Sequence, residues 1–216
     1  LGAEHHSFPC GMLSAHLENV NKIKKSQMGT AIPASQTLTG IAKTGIHWHK
    51  LSSSIKSIIW EQAERVVQSN NDRGTANAIW ALGSIGSPYC EQPKPVREAL
   101  FHGSSRVANT CSAWAFSNML WGFAKMEYQW TDFPPTLKEV IKSNIGRLEP
   151  EMNAVDISVL TWSLGSLGVP LDSRDERSEG LGREGVDGRI LGPLFDAISR
   201  NLPDMKSQEI SSLIWG

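Results

Sequence analysis

The sequence predicts an all-α fold: an α-solenoid of stacked two-helix repeats with a period of about 41 residues. Three observations carry that prediction. Trp80, Trp121 and Trp162 stand 41 residues apart, and Trp215 follows Trp162 by 53. Around each Trp the apolar residues recur at helical spacing, without strand-like alternation. Gly86 and Gly168 fall where a helix would stop, and Pro88 and Pro170 follow two residues later. A two-helix unit of ~40 residues cannot bury its apolar face alone, so stacked neighbours make the core.

The elements follow in order. Residues 1–50 read as a degenerate first repeat or cap: a first helix near 12–25 fits the register poorly, and 35–45 copies the second helix with Thr39 at the Trp position. Repeat 2 covers 51–90, with helices over 51–67 and 72–86. Repeat 3 covers 91–130, with helices over 95–108 and 113–127, and repeat 4 covers 131–171, with helices over 136–149 and 154–168. Residues 172–188 are a Gly- and charge-rich flexible insertion that absorbs the 12 surplus residues before Trp215. A truncated repeat 5 occupies 189–216, with helices over 190–202 and from 207.

In the first helices the core columns are Ile55/Val96/Leu137/Ile190, Ile59/Leu100/Ile141/Leu194 and Val66/Val107/Leu148. In the second helices they are Leu82/Phe123/Leu164, Ile79/Leu120/Thr161 and Ile85/Met126/Leu167. The repeated tryptophans belong first to packing. Trp60, Phe101 and Phe195 share a register position at the edge of the apolar face and are more open to stacking on a ligand.

Composition excludes several classes. The 216 residues carry 21 Lys+Arg and 22 Asp+Glu, a net charge of −1, which rules out histone-like binding but leaves room for a local basic stripe. The charge is uneven: residues 1–71 hold 7 basic and 4 acidic side chains (+3), and 172–216 hold 6 and 9 (−3). Mean hydropathy is −0.25. No uncharged apolar run approaches the ~20 residues that span a bilayer, so membrane insertion is not expected. The chain begins at Leu1, without Met, and stops inside an apolar pattern, so a fragment of a longer protein is expected.

Three cysteines without a C-x-x-C pair suggest neither a disulfide framework nor a zinc knuckle, and fit a reducing compartment. His5, His6 and Cys10, or His47 and His49, lack the further ligands that a zinc site needs. The run from Gly180 to Gly185 matches G-x-G-x-x-G, but a charged stretch precedes it where a dinucleotide site needs a strand. No nucleophile elbow or Cys/His signature is present. The expectation is a protein without catalytic activity, metal or cofactor.

Cations recur with the repeats. Lys24, Arg65, Arg106, Arg147 and Arg200 occupy one position late in the first helices, at spacings of 41, 41, 41 and 53. At ~100° per residue this position lies roughly 90° from the centre of the apolar face, at its solvent-reachable border. A second column, Lys56, Arg97 and Lys138, lies on the opposite border and fails at Leu191. Stacked along a solenoid, such cations form the ladder that a single-stranded phosphate backbone would track. They equally suit the macrodipole at a helix C-terminus, or an acidic partner in the next repeat.

The second-helix segments Ala76-Asn77-Ala78-Ile79-Trp80-Ala81-Leu82-Gly83-Ser84-Ile85-Gly86 and Ser117-Asn118-Met119-Leu120-Trp121-Gly122-Phe123-Ala124-Lys125-Met126 resemble the octotricopeptide repeats. They are also similar to the related helical repeats found with RAP domains in algal and apicomplexan organelle proteins. The hallmark of those repeats looks like ANxLWALAKLG, and nearly the whole chain from Ala31 onward can be laid on it. The resemblance implies a paired-helix solenoid in a mitochondrion or plastid that binds single-stranded or ribosomal RNA. It would act in transcript stabilisation, processing, translation or ribosome assembly.

The expected function is RNA binding, with the column from Lys24 to Arg200 on phosphates and Gln62, His102 and Asn144 near bases. The alternative is a scaffold subunit that docks onto proteins of an organellar ribosome or another large assembly.

Overall fold

The computed structural model describes residues 31–69, 71–170 and 188–215. Among the described residues there are nine α-helices and no strand. They are α1 (Ala31–Lys43), α2 (Ser53–Gln68), α3 (Asp72–Ile85), α4 (Lys94–Ala108), α5 (Ala113–Lys125), α6 (Pro135–Leu148), α7 (Ala154–Ser166), α8 (Gly188–Asn201) and α9 (Ser207–Trp215). Short 3-10 turns at Trp48–Lys50, Tyr89–Glu91 and Trp130–Asp132 lead into α2, α4 and α6.

Local chemistry sets the boundaries. Asn71, Ser112 and Asn153 stand 41 residues apart and cap α3, α5 and α7 through side-chain oxygens that accept backbone N–H bonds. Pro93 and Pro134 precede α4 and α6, which begin with proline in the first turn. After α1, α3, α5 and α7 the chain turns through a left-handed residue. These are Gly45, Gly86, Glu127 and Gly168, with φ of 71°, 78°, 68° and 68°. Three are glycine, which adopts that region without a Cβ penalty; Glu127 bears it.

Helices pack in sequence order as two layers. α1, α3, α5, α7 and α9 form one row, α2, α4, α6 and α8 the other, and the layers meet between chain neighbours at α1–α2, α2–α3, α3–α4 and α7–α8. The arrangement is compatible with an α-solenoid. Every residue of the six core columns expected from the sequence is buried between the layers. In the odd row the backbones nearly meet: a Cβ on Gly122 would lie 2.5 Å from the Ile79 oxygen, and one on Gly83 2.8 Å from that of Gly122.

From residue 51 onward the expected helix bounds agree with those observed to within two residues, whereas α1 starts four residues before the expected 35–45 segment. Gly188, assigned to the insertion, begins α8 instead. The first helix expected near 12–25, the G-x-G-x-x-G run and most of the insertion lie outside the described residues.

Candidate nucleic-acid interface

Three arginines of the first cation column, all of them exposed residues, bond back onto main chain. Arg147 donates from Nη2 to the carbonyls of Ala108, at 2.8 Å, and Cys111, at 2.9 Å. Its Nε donates to Asn144 Oδ1 at 2.6 Å. Arg106 donates to the Val67 carbonyl, and Arg200 to the carbonyl and carboxylate of Glu149. Val67 and Ala108 lie in the last turn of the preceding even helix, and Glu149 directly follows it. The guanidinium therefore satisfies orphan carbonyls and meets the negative end of the macrodipole. Arg65 differs, since it pairs with Glu61 one turn earlier at 3.6 Å. Lys24 lies outside the described residues.

The second column rests on aromatic rings. Lys56 Nζ lies 5.1 Å from the Trp48 ring centre, the Arg97 guanidinium 4.8 Å from that of Tyr89, and Lys138 Nζ 5.6 Å from that of Trp130. In each pair the ring stands eight residues before its cation, in the 3-10 turn. Glu91 binds this column from the next turn along, accepting from Trp48 Nε1 at 2.7 Å and from Lys56 Nζ at 2.8 Å. The Lys56 and Trp48 hydrogen bonds hold its carboxyl below the usual range. The turns are also tied forward by main chain: Tyr89 N–H donates to the Met126 carbonyl and Trp130 N–H to that of Leu167.

Two residues expected near bases are buried. Gln62 is 2% and Asn144 1% exposed, so neither reaches a ligand as placed. Asn144 instead bonds Asn109 and the Val140 carbonyl while it holds Arg147. His102 is exposed. Trp80, Trp121 and Trp162 are half-buried rather than sealed in the core, and Trp215 is exposed. Trp80 stacks on Trp121 at 6.3 Å, and Lys125 Nζ lies 5.8 Å from Trp121 and 5.7 Å from Trp162. Trp60 and Phe101 pack against the core, whereas Phe195 is 61% exposed.

Arg147 borders a groove. Two open cavities, of about 700 and 590 Å³, adjoin at Asp72 and Arg73. The first runs between α1 and the start of α3, past Gln36, Thr39, Lys43 and Asn77. The second is bounded by Ser112 and Trp114 at the start of α5, and by Arg147 and Glu151 beyond. Three cations, Lys43, Arg73 and Arg147, face two carboxylates, Asp72 and Glu151. The amino ends of α3 and α5 open onto the same groove and add partial positive charge.

Local structure explains the exposure. Arg73, Trp114 and Val155 each stand two residues after a helix cap, at the outward side of the first turn, and all three are exposed. Trp114 falls outside the 41-residue Trp register, and that departure is its signal in the sequence. Cys111 also borders this cavity, and burial pushes its thiol up to about 11, so it is protonated at neutral pH.

Among the described residues no group of three His, Cys, Asp or Glu side chains could hold a metal ion, and His47 and His49 stack on one another at 5.8 Å. No described helix is long and apolar enough to cross a membrane. No protein-family model matches the chain, and no curated protein matches it.

Proposed function

We propose that this protein binds single-stranded RNA along the groove at one edge of its helix array. In this reading the array is an α-solenoid of repeats of about 41 residues, and the protein handles RNA in a mitochondrion or plastid. The carrying observation is the pair of adjoining cavities that share Asp72 and Arg73 and together span α1 to the end of α6. Cations, amino ends of helices and an exposed aromatic ring along one track are what a phosphate backbone with splayed bases requires. The resemblance of the second-helix segments to octotricopeptide repeats supports the same reading.

The phosphate contacts in this reading are Lys43, Arg73 and the unbonded edge of Arg147. Arg106 and Arg200 serve the array instead, and Lys56, Arg97 and Lys138 are engaged with aromatic rings. The test is fluorescence anisotropy of the full chain on a short RNA pool at two salt concentrations. Submicromolar binding that falls with salt is expected, and Lys43→Ala with Arg73→Ala should weaken it for all sequences while flattening the salt slope by about two. No binding at low salt would overturn the proposal.

One observation favours the scaffold reading. Phe195, Leu202, Ile214 and Trp215 of the last helix pair are 61%, 54%, 78% and 84% exposed, an apolar face suited to another protein. Defined protein neighbours that co-purify after nuclease treatment, without RNA affinity, would establish that reading instead.

A further inference from the structure

We infer that the Trp114 cavity is a subsite for one nucleotide of a single strand and that it selects guanine. This rests on the RNA-binding reading and adds a base preference to it. The cavity, of about 590 Å³, lies within the range of small-ligand sites. Its walls come from three successive helix pairs. Asp72 and Arg73 stand on one side, Arg147 and Glu151 on the other, and Ser112 and Trp114 between them.

Four side chains there have unused capacity. Trp114 is 45% exposed. Trp80 and Trp121 stack on each other, and Lys125 covers Trp121 and Trp162; among the described residues no ring or cation covers Trp114. Arg147 is held rigidly through Nε and Nη2, which leaves Nη1 to donate into the cavity. Asp72 takes the main-chain N–H of Arg73 at 2.6 Å, and no described carboxylate pairs with the Arg73 guanidinium. Glu151 likewise has no described ion-pair partner and is exposed.

The chemistry these groups share is that of a nucleotide. An uncovered indole face stacks a base, and two guanidinium groups on opposite sides suit the phosphates that enter and leave it. The base edge would then meet a carboxylate. Guanine presents two adjacent donors there, the N1 imide and the N2 amino group, which one carboxylate can accept together. Adenine and cytosine present a single amino group, and uracil an imide flanked by carbonyls that repel a carboxylate. Bidentate acceptance by Glu151 therefore favours guanine.

The test uses the full chain and labelled ten-residue RNAs, one of uridine alone and one with a single central guanosine, with free guanosine monophosphate as a third ligand. We expect the guanosine strand to bind five- to tenfold tighter than the uridine strand, and tighter than the mononucleotide. E151Q should bring the ratio between the guanosine and uridine strands to about one, whatever the lost charge does to the affinity of both. W114A should weaken both strands about tenfold. Trp114 is a surface residue, so equal melting of W114A and the parent separates lost stacking from lost fold.

Strands that bind equally well, with W114A and E151Q unchanged, would overturn the subsite and leave RNA binding standing. A mononucleotide that binds as tightly as the strand would overturn the single-strand assignment. No binding by any strand would overturn both readings.

Discussion

Arg147 donates to the Ala108 carbonyl 39 residues behind it, and Arg106 reaches the Val67 carbonyl across the same interval. Arg200 does the same to Glu149, 51 residues behind, with the 12 extra residues lying between its helix pair and the one before. From α4 onward, one side chain per pair thus fastens each even helix to the end of its predecessor.

Replacing these arginines should separate two kinds of cation. Arg147→Ala leaves the Ala108 and Cys111 carbonyls without their charged donor and is expected to cost about 2 kcal/mol in urea unfolding. Arg147→Lys should recover only part of it, because one ammonium cannot serve both carbonyls and Asn144 together. Arg65→Ala removes only an exposed one-turn pair and should change stability by under about 0.5 kcal/mol. Equal losses at Arg65 and Arg147 would refute the fastening role.

Two glycines of the odd row should respond in opposite directions to alanine. At Gly122 the new Cβ would meet the Ile79 main chain at 2.5–2.7 Å, and the backbone itself must give way, costing about 3 kcal/mol. At Gly40 nothing lies within 4 Å, so alanine should stabilise α1 by about 0.5–1 kcal/mol through helix propensity. Thermal melts of both variants check the contrast.

Glu127 occupies the left-handed turn that Gly45, Gly86 and Gly168 fill elsewhere. Glu127→Gly should therefore stabilise the chain by about 1 kcal/mol, removing a Cβ from a conformation that disfavours it. A destabilised variant would show that the Glu127 side chain makes a stronger compensating contact.

Asp156, at the start of α7, is buried, and that burial raises its pKa above the ordinary 3.8 against the opposing Asn153 N–H bond. A carboxyl raised on folding binds its proton more tightly in the native state, so it supports stability at low pH. That support is lost as pH climbs from about 3.8 through the raised native value. Asp156→Asn keeps an acceptor for Asn153 without the charge, so its stability relative to the parent should rise across that window and stay higher at pH 7. Parallel profiles for the two proteins would refute it.

The helices and their buried columns were legible because each carries a 3.6-residue apolar period between polar caps and Gly/Pro stops. Positions such as Ile59, Leu100, Ile141 and Leu194 need no tertiary knowledge. The direction of the arginines was not legible. A border position 90° from the apolar face serves solvent and a neighbouring helix equally, and only the packing of one even helix on the next decides. Trp48, Tyr89 and Trp130 do recur every 41 residues, but they sit in 3-10 turns, where a one-dimensional pattern says nothing of the cation eight residues later. The groove is harder still, because Arg73, Trp114 and Arg147 meet only through three successive helix pairs.

The fastening also has a direction. Each guanidinium grips the pair before it, so an interior pair is held from both sides, whereas α8 and α9 are gripped from one side only among the described residues. Such a nearest-neighbour chain opens pair by pair rather than melting everywhere at once. Amide protons of the pairs on either side of the Arg147 fastening should exchange with linked protection, which Arg147→Ala would part into two separate steps.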